Sequence, residues 1–247
     1  MRAFMTAFLG AVALIWVLRP VLSLDVPAPR DPKDPSLFQF VRIRYNGYLG
    51  GWGSGRWVPP WMHDYPRAER NFLKILMELT TAETTAESYL ILDLDDPEIM
   101  NYPVLYVSEP GYWNITDSEA SNFKEYLLRG GFVIFDDFRG ASEWSNFTEC
   151  MKKVFPKRNF QELALEHPVF HCFYDIQTLD MIPPYDVPGK PVFYGLSDEE
   201  GRLLAVANFN NDIGDYWEWS DESLVPINFS NEAYKFGINY VIYALTH

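Results

Sequence analysis

Short apolar runs alternate with amphipathic segments along most of this chain. Residues 40–45 alternate, with Val41, Ile43 and Tyr45 on one face and two arginines on the other, which predicts a strand. Further apolar runs, bounded by turn residues, predict strands at residues 89–94, 104–108, 132–135, 192–196 and 203–209.

Helical periodicity separates these runs. Asp64 is placed to cap a helix that continues to about Thr80, and Thr116 with Glu119 forms a capping box before a helix that Gly130 ends. Residues 145–155 also have a helical pattern, and Ser230 is placed to cap a last helix over residues 231–245. The alternation predicts an α/β fold: a doubly wound, mostly parallel sheet with helices on both faces and later strands antiparallel at one edge.

The strand at residues 132–135 carries the strongest functional signal. It is uniformly apolar, as expected for a strand buried on both faces, and it ends in Asp136, Asp137 and Arg139. Ligands of open α/β sheets bind beyond the carboxyl ends of the strands, so these three residues are candidate ligand contacts. Adjacent strand residues point to opposite faces, which predicts that only one of the two acids faces the crevice.

Other candidates lie in loops. His167 and His171 are four residues apart and, with Asp136 or Asp137, offer nitrogen and carboxylate ligands for a divalent metal. The alternative is a proline turn in which His167 bonds the backbone, because Pro168 disfavours a helix.

Aromatic residues beside polar ones suggest walls for a ligand site. Asp212 and Trp217 follow the strand at residues 203–209, and Trp52 lies in a Gly-, Trp- and Pro-rich loop, residues 46–63, that is a candidate lid. The alternative for residues 210–217 is an Asx-turn loop whose aromatic side chains cover the core.

The chain has a formal net charge of −14, which argues against nucleic acid or an anionic membrane as its partner. A basic start and an apolar run over residues 3–18 predict a signal peptide at residues 1–23, with an uncleaved anchor as the alternative. Residues 24–37 form a proline-rich linker, and residues 38–247 suffice for one domain outside the cytoplasm. Phosphate-loop, dinucleotide and Cys-x-x-Cys zinc motifs are absent from the sequence, so we expect no cofactor.

Several short motifs follow one another in a characteristic order: Arg42-Ile43-Arg44-Tyr45, Tyr102-Pro103-Val104-Leu105-Tyr106, Gly130-Gly131-Phe132 leading to Asp136-Asp137, His167-Pro168-Val169-Phe170-His171, Asn211-Asp212 and Gly237-Ile238-Asn239-Tyr240. With this order the chain resembles the bacterial domain of unknown function 4159 family. The resemblance implies a flavodoxin-like fold similar to class I glutamine amidotransferases. It also implies an envelope complex with MoxR-type ATPases and von Willebrand-type domain proteins.

Amidotransferases of that class use a nucleophilic cysteine at a strand-to-helix turn. Neither Cys150 nor Cys172 directly follows a predicted strand, so the sequence does not favour that chemistry. Two functions stay open. The first is a non-catalytic binding or accessory module for an envelope glycan or peptide. The alternative is a hydrolase, with or without a metal, in which a carboxylate activates water and a histidine supplies a ligand or a proton.

Overall fold

The computed structural model describes residues 34–47 and 59–247. The predicted signal peptide, most of the proline-rich linker and Trp52 lie outside the described residues. Within the described ranges, no helix has the length and apolar character needed to cross a membrane.

A seven-stranded sheet forms the centre of the described chain. Its strands are β1 (Phe40–Arg44), β3 (Tyr89–Asp93), β4 (Val104–Ser108), β6 (Phe132–Phe138), β7 (Gln161–Glu162), β8 (Val192–Ser197) and β9 (Leu203–Phe209). The spatial order is β3-β1-β4-β6-β9-β8-β7. A separate antiparallel pair joins β2 (Asn46–Gly47) to β5 (Trp113–Asn114).

The sheet confirms the predicted fold class. Strands β3, β1, β4, β6 and β9 are parallel, whereas β8 and β7 add antiparallel pairs at one edge. Numbered among themselves, the parallel strands have the order 2-1-3-4-5, which is that of flavodoxin-like folds. The chain reverses its direction of winding between β1 and β4, and a crevice is expected beyond their carboxyl ends.

Helices cover both faces of the sheet. On one face lie α1 (Arg67–Leu79), α4 (Ile213–Glu218) and α5 (Ile227–Thr246), and their apolar side chains form one core with alternate residues of the strands. On the other face, α2 (Asp117–Leu128) and α3 (Gly140–Val154) form a second core with the remaining strand residues. Both faces of the central strands are therefore dry, as their uniform apolar character predicts.

The helix starts were predicted with mixed success. Thr116 and Glu119 form the expected capping box at α2. The predicted caps Asp64 and Ser230 are wrong: α1 begins after Pro66 and α5 after Pro226, and neither has a side-chain cap. Ser230 lies buried inside α5, because the helix begins at Ile227, directly after Pro226 and three residues before the serine.

Gly237 lies where α5 crosses the aromatic side chains of the first core. A Cβ at this position would lie 2.5 Å from Trp217 and 2.6 Å from Phe72. We expect Gly237→Ala to destabilise the protein by about 1–3 kcal/mol through overpacking, although alanine is the better helix former. Urea unfolding checks this, with Asn231→Ala on the exposed side of α5 as the control. A stabilised Gly237→Ala variant would mean that helix propensity outweighs packing here.

Candidate functional site

The carboxyl ends of four neighbouring strands contribute ionisable side chains to one region, the carboxyl-edge cluster. Each strand is followed by at least one member, and the region includes the point where the winding reverses. The cluster consists of His63 and Asp64 after β1, Glu109 after β4, Asp136 and Asp137 at the end of β6, and Asp212 and Asp215 after β9.

A local irregularity separates the two adjacent acids of β6. The register with β9 shifts between Phe135 and Phe138, and Asp137 has a left-handed backbone with φ 58°. Glu109, at the end of β4, is also left-handed, with φ 48°. Non-glycine residues in this region are strained, and such strain concentrates at functional sites.

Asp136 is fully buried and serves as an anchor. Its carboxylate accepts hydrogen bonds from Tyr106 Oη, Asn208 Nδ2 and the Gly214 amide, each at 2.9 Å. Burial raises the pKa of Asp136 to about 6, even though these hydrogen bonds favour the charged form. Asp136 therefore joins β4, β9 and α4 beneath the cluster and has no access to solvent.

Asp137 forms a hydrogen-bonded chain with a histidine and a tyrosine. Its Oδ2 lies 2.7 Å from His63 Nδ1, and Tyr185 Oη donates to Oδ1 at 2.6 Å. Burial opposes ionisation of Asp137, but the bonds to His63 and Tyr185 outweigh it and lower the pKa of this carboxyl. The His63 side chain is 45% exposed. The pair thus combines a buried carboxylate with a ring that solvent can reach.

The protonation of His63 reflects its acidic surroundings. Burial lowers the pKa of the ring, but the bond to Asp137 and the charges of Asp64, Asp137 and Glu109 raise it to about 11. The pKa of Glu109 is raised as well, to about 8, but there burial and the charge of Asp137 act in the same direction. Two neighbouring groups with displaced pKa values are typical of a site that moves protons.

A buried arginine positions His63. Arg42 pairs with Glu69 of α1, and its Nη1 donates to the carbonyls of Trp61 at 3.0 Å and His63 at 2.8 Å. The alternating pattern of β1 predicted a polar face for Arg42, but the residue is 1% exposed because α1 covers that face. Arg42 thus fixes the backbone that carries the histidine.

Arg139 also lies close to Tyr185 and Asp137. Its guanidinium carbon lies 3.7 Å from the ring centroid of Tyr185, and its charge helps to lower the pKa of Asp137. Asp212 begins α4, where its side chain accepts a bond from the Asp215 amide at 2.9 Å. The structure therefore brings Asp136, Asp137, Arg139 and Asp212 together, as their positions after strands suggested.

Other sequence candidates occupy different surroundings. His167 accepts a bond from the Val169 amide at 3.2 Å, which is the proline-turn alternative, and its ring lies beside Tyr243. His171 contacts Asp175 at 2.5 Å and the Leu165 carbonyl at 2.6 Å. None of the contacts in the described part of the chain joins these histidines to Asp136 or Asp137.

Trp217 is fully buried in the first core, where its ring packs 4.6 Å from that of Phe72. The structure thus agrees with the alternative prediction for Trp217, namely that the aromatic side chains after β9 cover the core. Residues 213–218 form the short helix α4, in contrast to the predicted loop.

Five contributors to the site were not among the sequence candidates: the cluster members His63, Asp64, Glu109 and Asp215, and Tyr185, which bonds Asp137. Glu109 and Asp215 had a usable signal, because Glu109 directly follows a predicted strand and Asp215 lies in the polar segment after another. His63 ends a long loop and Tyr185 lies in an irregular segment, so no periodicity marks either of them.

Comparison with known families identifies the chain. A family model described as "Domain of unknown function (DUF4159)" matches residues 39–245. The chain belongs to the DUF4159 family. No curated protein matches the sequence.

Within this member of the family both cysteines are free thiols, Cys150 inside α3 and Cys172 after the short helix Pro168–Phe170. Neither occupies a strand-to-helix turn, where an amidotransferase nucleophile would lie.

Proposed function

We propose that this protein is a hydrolase in which His63 and Asp137 form the proton-transfer pair. The observation that carries the proposal is the 2.7 Å contact between Asp137 and the half-exposed His63 ring at the reversal point of the sheet. A non-catalytic binding module, which is the alternative, would not need a carboxylate in contact with a histidine that solvent can reach.

The geometry assigns a role to each member of the pair. Asp137 accepts a hydrogen bond from the Nδ1–H of His63, so Nε2 is the ring nitrogen available to a substrate. Because the pKa of His63 is raised, the ring is protonated at neutral pH and acts first as a general acid toward a leaving group. One of the carboxylates beside the ring activates the attacking water, and Tyr185 keeps Asp137 ionised and oriented.

The proposed setting is supported by the sequence and by the family resemblance. We propose that the protein acts in the cell envelope on a glycan or a peptide, since the apolar run at residues 3–18 suggests export. The net charge of −14 and the acidic carboxyl-edge cluster favour a neutral or cationic group at the reacting bond. A complex with a MoxR-type ATPase and a von Willebrand-type domain protein is part of the same proposal.

The test is hydrolysis of purified cell-wall glycopeptide fragments by the full-length chain, followed by mass spectrometry. We expect cleavage by the wild type and a loss of about 100-fold or more in His63→Ala and Asp137→Asn, the scale of general acid–base catalysis. His171→Ala is the matched control, because that histidine also contacts an aspartate but lies apart from the cluster.

Two results would overturn the hydrolase proposal. One is cleavage that persists unchanged in His63→Ala, which would place the activity elsewhere. The other is fragment binding without cleavage by the wild type, which would establish the binding module.

A further inference from the structure

Three carboxylates and a histidine converge next to the Asp137 pair. One ring nitrogen of His63 and one oxygen each of Asp64, Asp212 and Asp215 all lie within 4.8 Å of one another. Asp64 and Asp212 are buried, and Asp215 is partly exposed. The group is therefore shielded from solvent at Asp64 and Asp212 and accessible to it at Asp215.

Two of these carboxylates lack the partners that buried charges need. No N–H group donates to either oxygen of Asp64, whose fully buried side chain lies against the carboxyls of Asp215 and Glu218, and Oδ2 of Asp212 is equally without an N–H donor. The nearest positive group to Asp64 is His63 Nδ1, 3.2 Å from Oδ1, but that nitrogen lies closer to Asp137. A buried carboxylate in this condition is strongly destabilising unless a proton or a cation compensates it.

Asp136 shows that the fold can satisfy an acid at the same depth. Three donors surround its carboxylate at 2.9 Å. Asp64 and Asp212 converge instead on Gly214, where a Cβ would lie 2.7 Å from Asp64 Oδ2 and 3.4 Å from Asp212 Oδ1. Glycine at this position keeps the space between the two carboxylates open.

We propose that the carboxylates of Asp64, Asp212 and Asp215 bind one divalent transition-metal cation such as Mn²⁺ or Zn²⁺, with His63 at their border but outside the ligand set, because its Nδ1–H bonds Asp137. Carboxylate oxygens are ligands for both ions. Ca²⁺ requires six to eight oxygen ligands, and Mg²⁺ retains several of its waters. The cation replaces the missing donors of the buried carboxylates.

This site deepens the proposed hydrolase, on which its chemical role rests, whereas cation binding itself does not depend on catalysis. A cation at Asp64 and Asp212 would hold water beside His63 and lower the pKa of that water. The attacking water would then be activated by the cation rather than by a carboxylate alone. The histidine pair His167 and His171, which the sequence suggested as metal ligands, takes no part.

The experiment titrates the metal-stripped, full-length chain with Mn²⁺ by electron paramagnetic resonance and with Zn²⁺, Mg²⁺ and Ca²⁺ by calorimetry. We expect one equivalent of Mn²⁺ or Zn²⁺ per chain and affinity at least about 30-fold lower in Asp64→Asn and Asp212→Asn. Asp175→Asn is the control, since this exposed aspartate pairs with His171 outside the cluster.

Melting temperatures separate lost ligands from lost folding. Without metal, Asp64→Asn should melt at or above the wild-type temperature, because it removes an uncompensated buried carboxylate. Saturating Mn²⁺ should raise the melting temperature of the wild type and of Asp175→Asn but not of Asp64→Asn.

The outcomes distinguish this site from the proposed hydrolase. A wild type that binds no cation, or Asn variants that bind as the wild type does, would overturn the metal site. If His63-dependent hydrolysis persists in that case, the hydrolase proposal survives without the cation. Stoichiometric binding without any hydrolysis would support the site and count against the hydrolase.

Discussion

Replacing Arg42 by methionine is expected to lower the free energy of unfolding by about 3–5 kcal/mol. Glu69 is fully buried and depends on Arg42 for its compensating charge, so the variant would leave an isolated carboxylate in the core. The variant also loses the two bonds from Arg42 to the carbonyls of Trp61 and His63. Urea unfolding followed by tryptophan fluorescence measures the change.

The same strand supplies the control. Arg44 pairs with Asp93, but the two side chains are 54% and 39% exposed, so Arg44→Met should cost less than about 1 kcal/mol. The double variant Arg42→Met with Glu69→Leu should recover much of the loss, because apolar residues of similar size can replace a buried pair. Equal losses in Arg42→Met and Arg44→Met would contradict the buried role of Arg42.

The second large effect is expected at Asp136. Asp136→Ala would leave the Tyr106 hydroxyl, the Asn208 amide and the Gly214 N–H without their acceptor in a dry interior. Since each unsatisfied buried group costs about 1–3 kcal/mol, we expect a loss of about 4 kcal/mol in the free energy of unfolding. Asp136→Asn, which retains one acceptor oxygen, should lose less than the alanine variant.

This prediction separates the two acids of β6. Asp136 is a structural anchor, whereas Asp137 contacts the accessible histidine. Urea unfolding and the hydrolysis assay should therefore be run on both Asp136→Ala and Asp137→Asn. An Asp136→Ala protein with wild-type stability and no activity would show that the anchor role is wrong and that Asp136 takes part in the chemistry.

The alternation of apolar runs and helical patterns was enough to predict the fold class, because both periods are local properties of the chain. The strand at residues 132–135 was identified by its uniform apolar character, and the acids after it were placed at the carboxyl edge. The order of the strands in the sheet is not local. The strand order depends on contacts between distant segments, and it was predicted only through the family resemblance, which implies a flavodoxin-like fold.

The positions of Arg42 and Asp64 could not be predicted. Alternation in β1 suggests a solvated arginine face, but a central parallel strand has no solvated face, and α1 covers Arg42. Asp64 has the composition of a helix cap, yet its backbone has φ 65° and its carboxylate lies buried against α4. Both outcomes follow from packing between distant segments.

By itself, the sequence determined the α/β class, the capping box of α2 and the location of the acids that end β6, since each depends on neighbouring residues along the chain. The tertiary structure alone decided that His63, from a loop after β1, meets Asp137 at the end of β6. It also decided that Asp64 and Asp212, far apart in sequence, converge with both oxygens of Asp64 and Oδ2 of Asp212 lacking an N–H donor. Parallel strands bring their carboxyl ends to one edge, and there residues that no local pattern connects become neighbours.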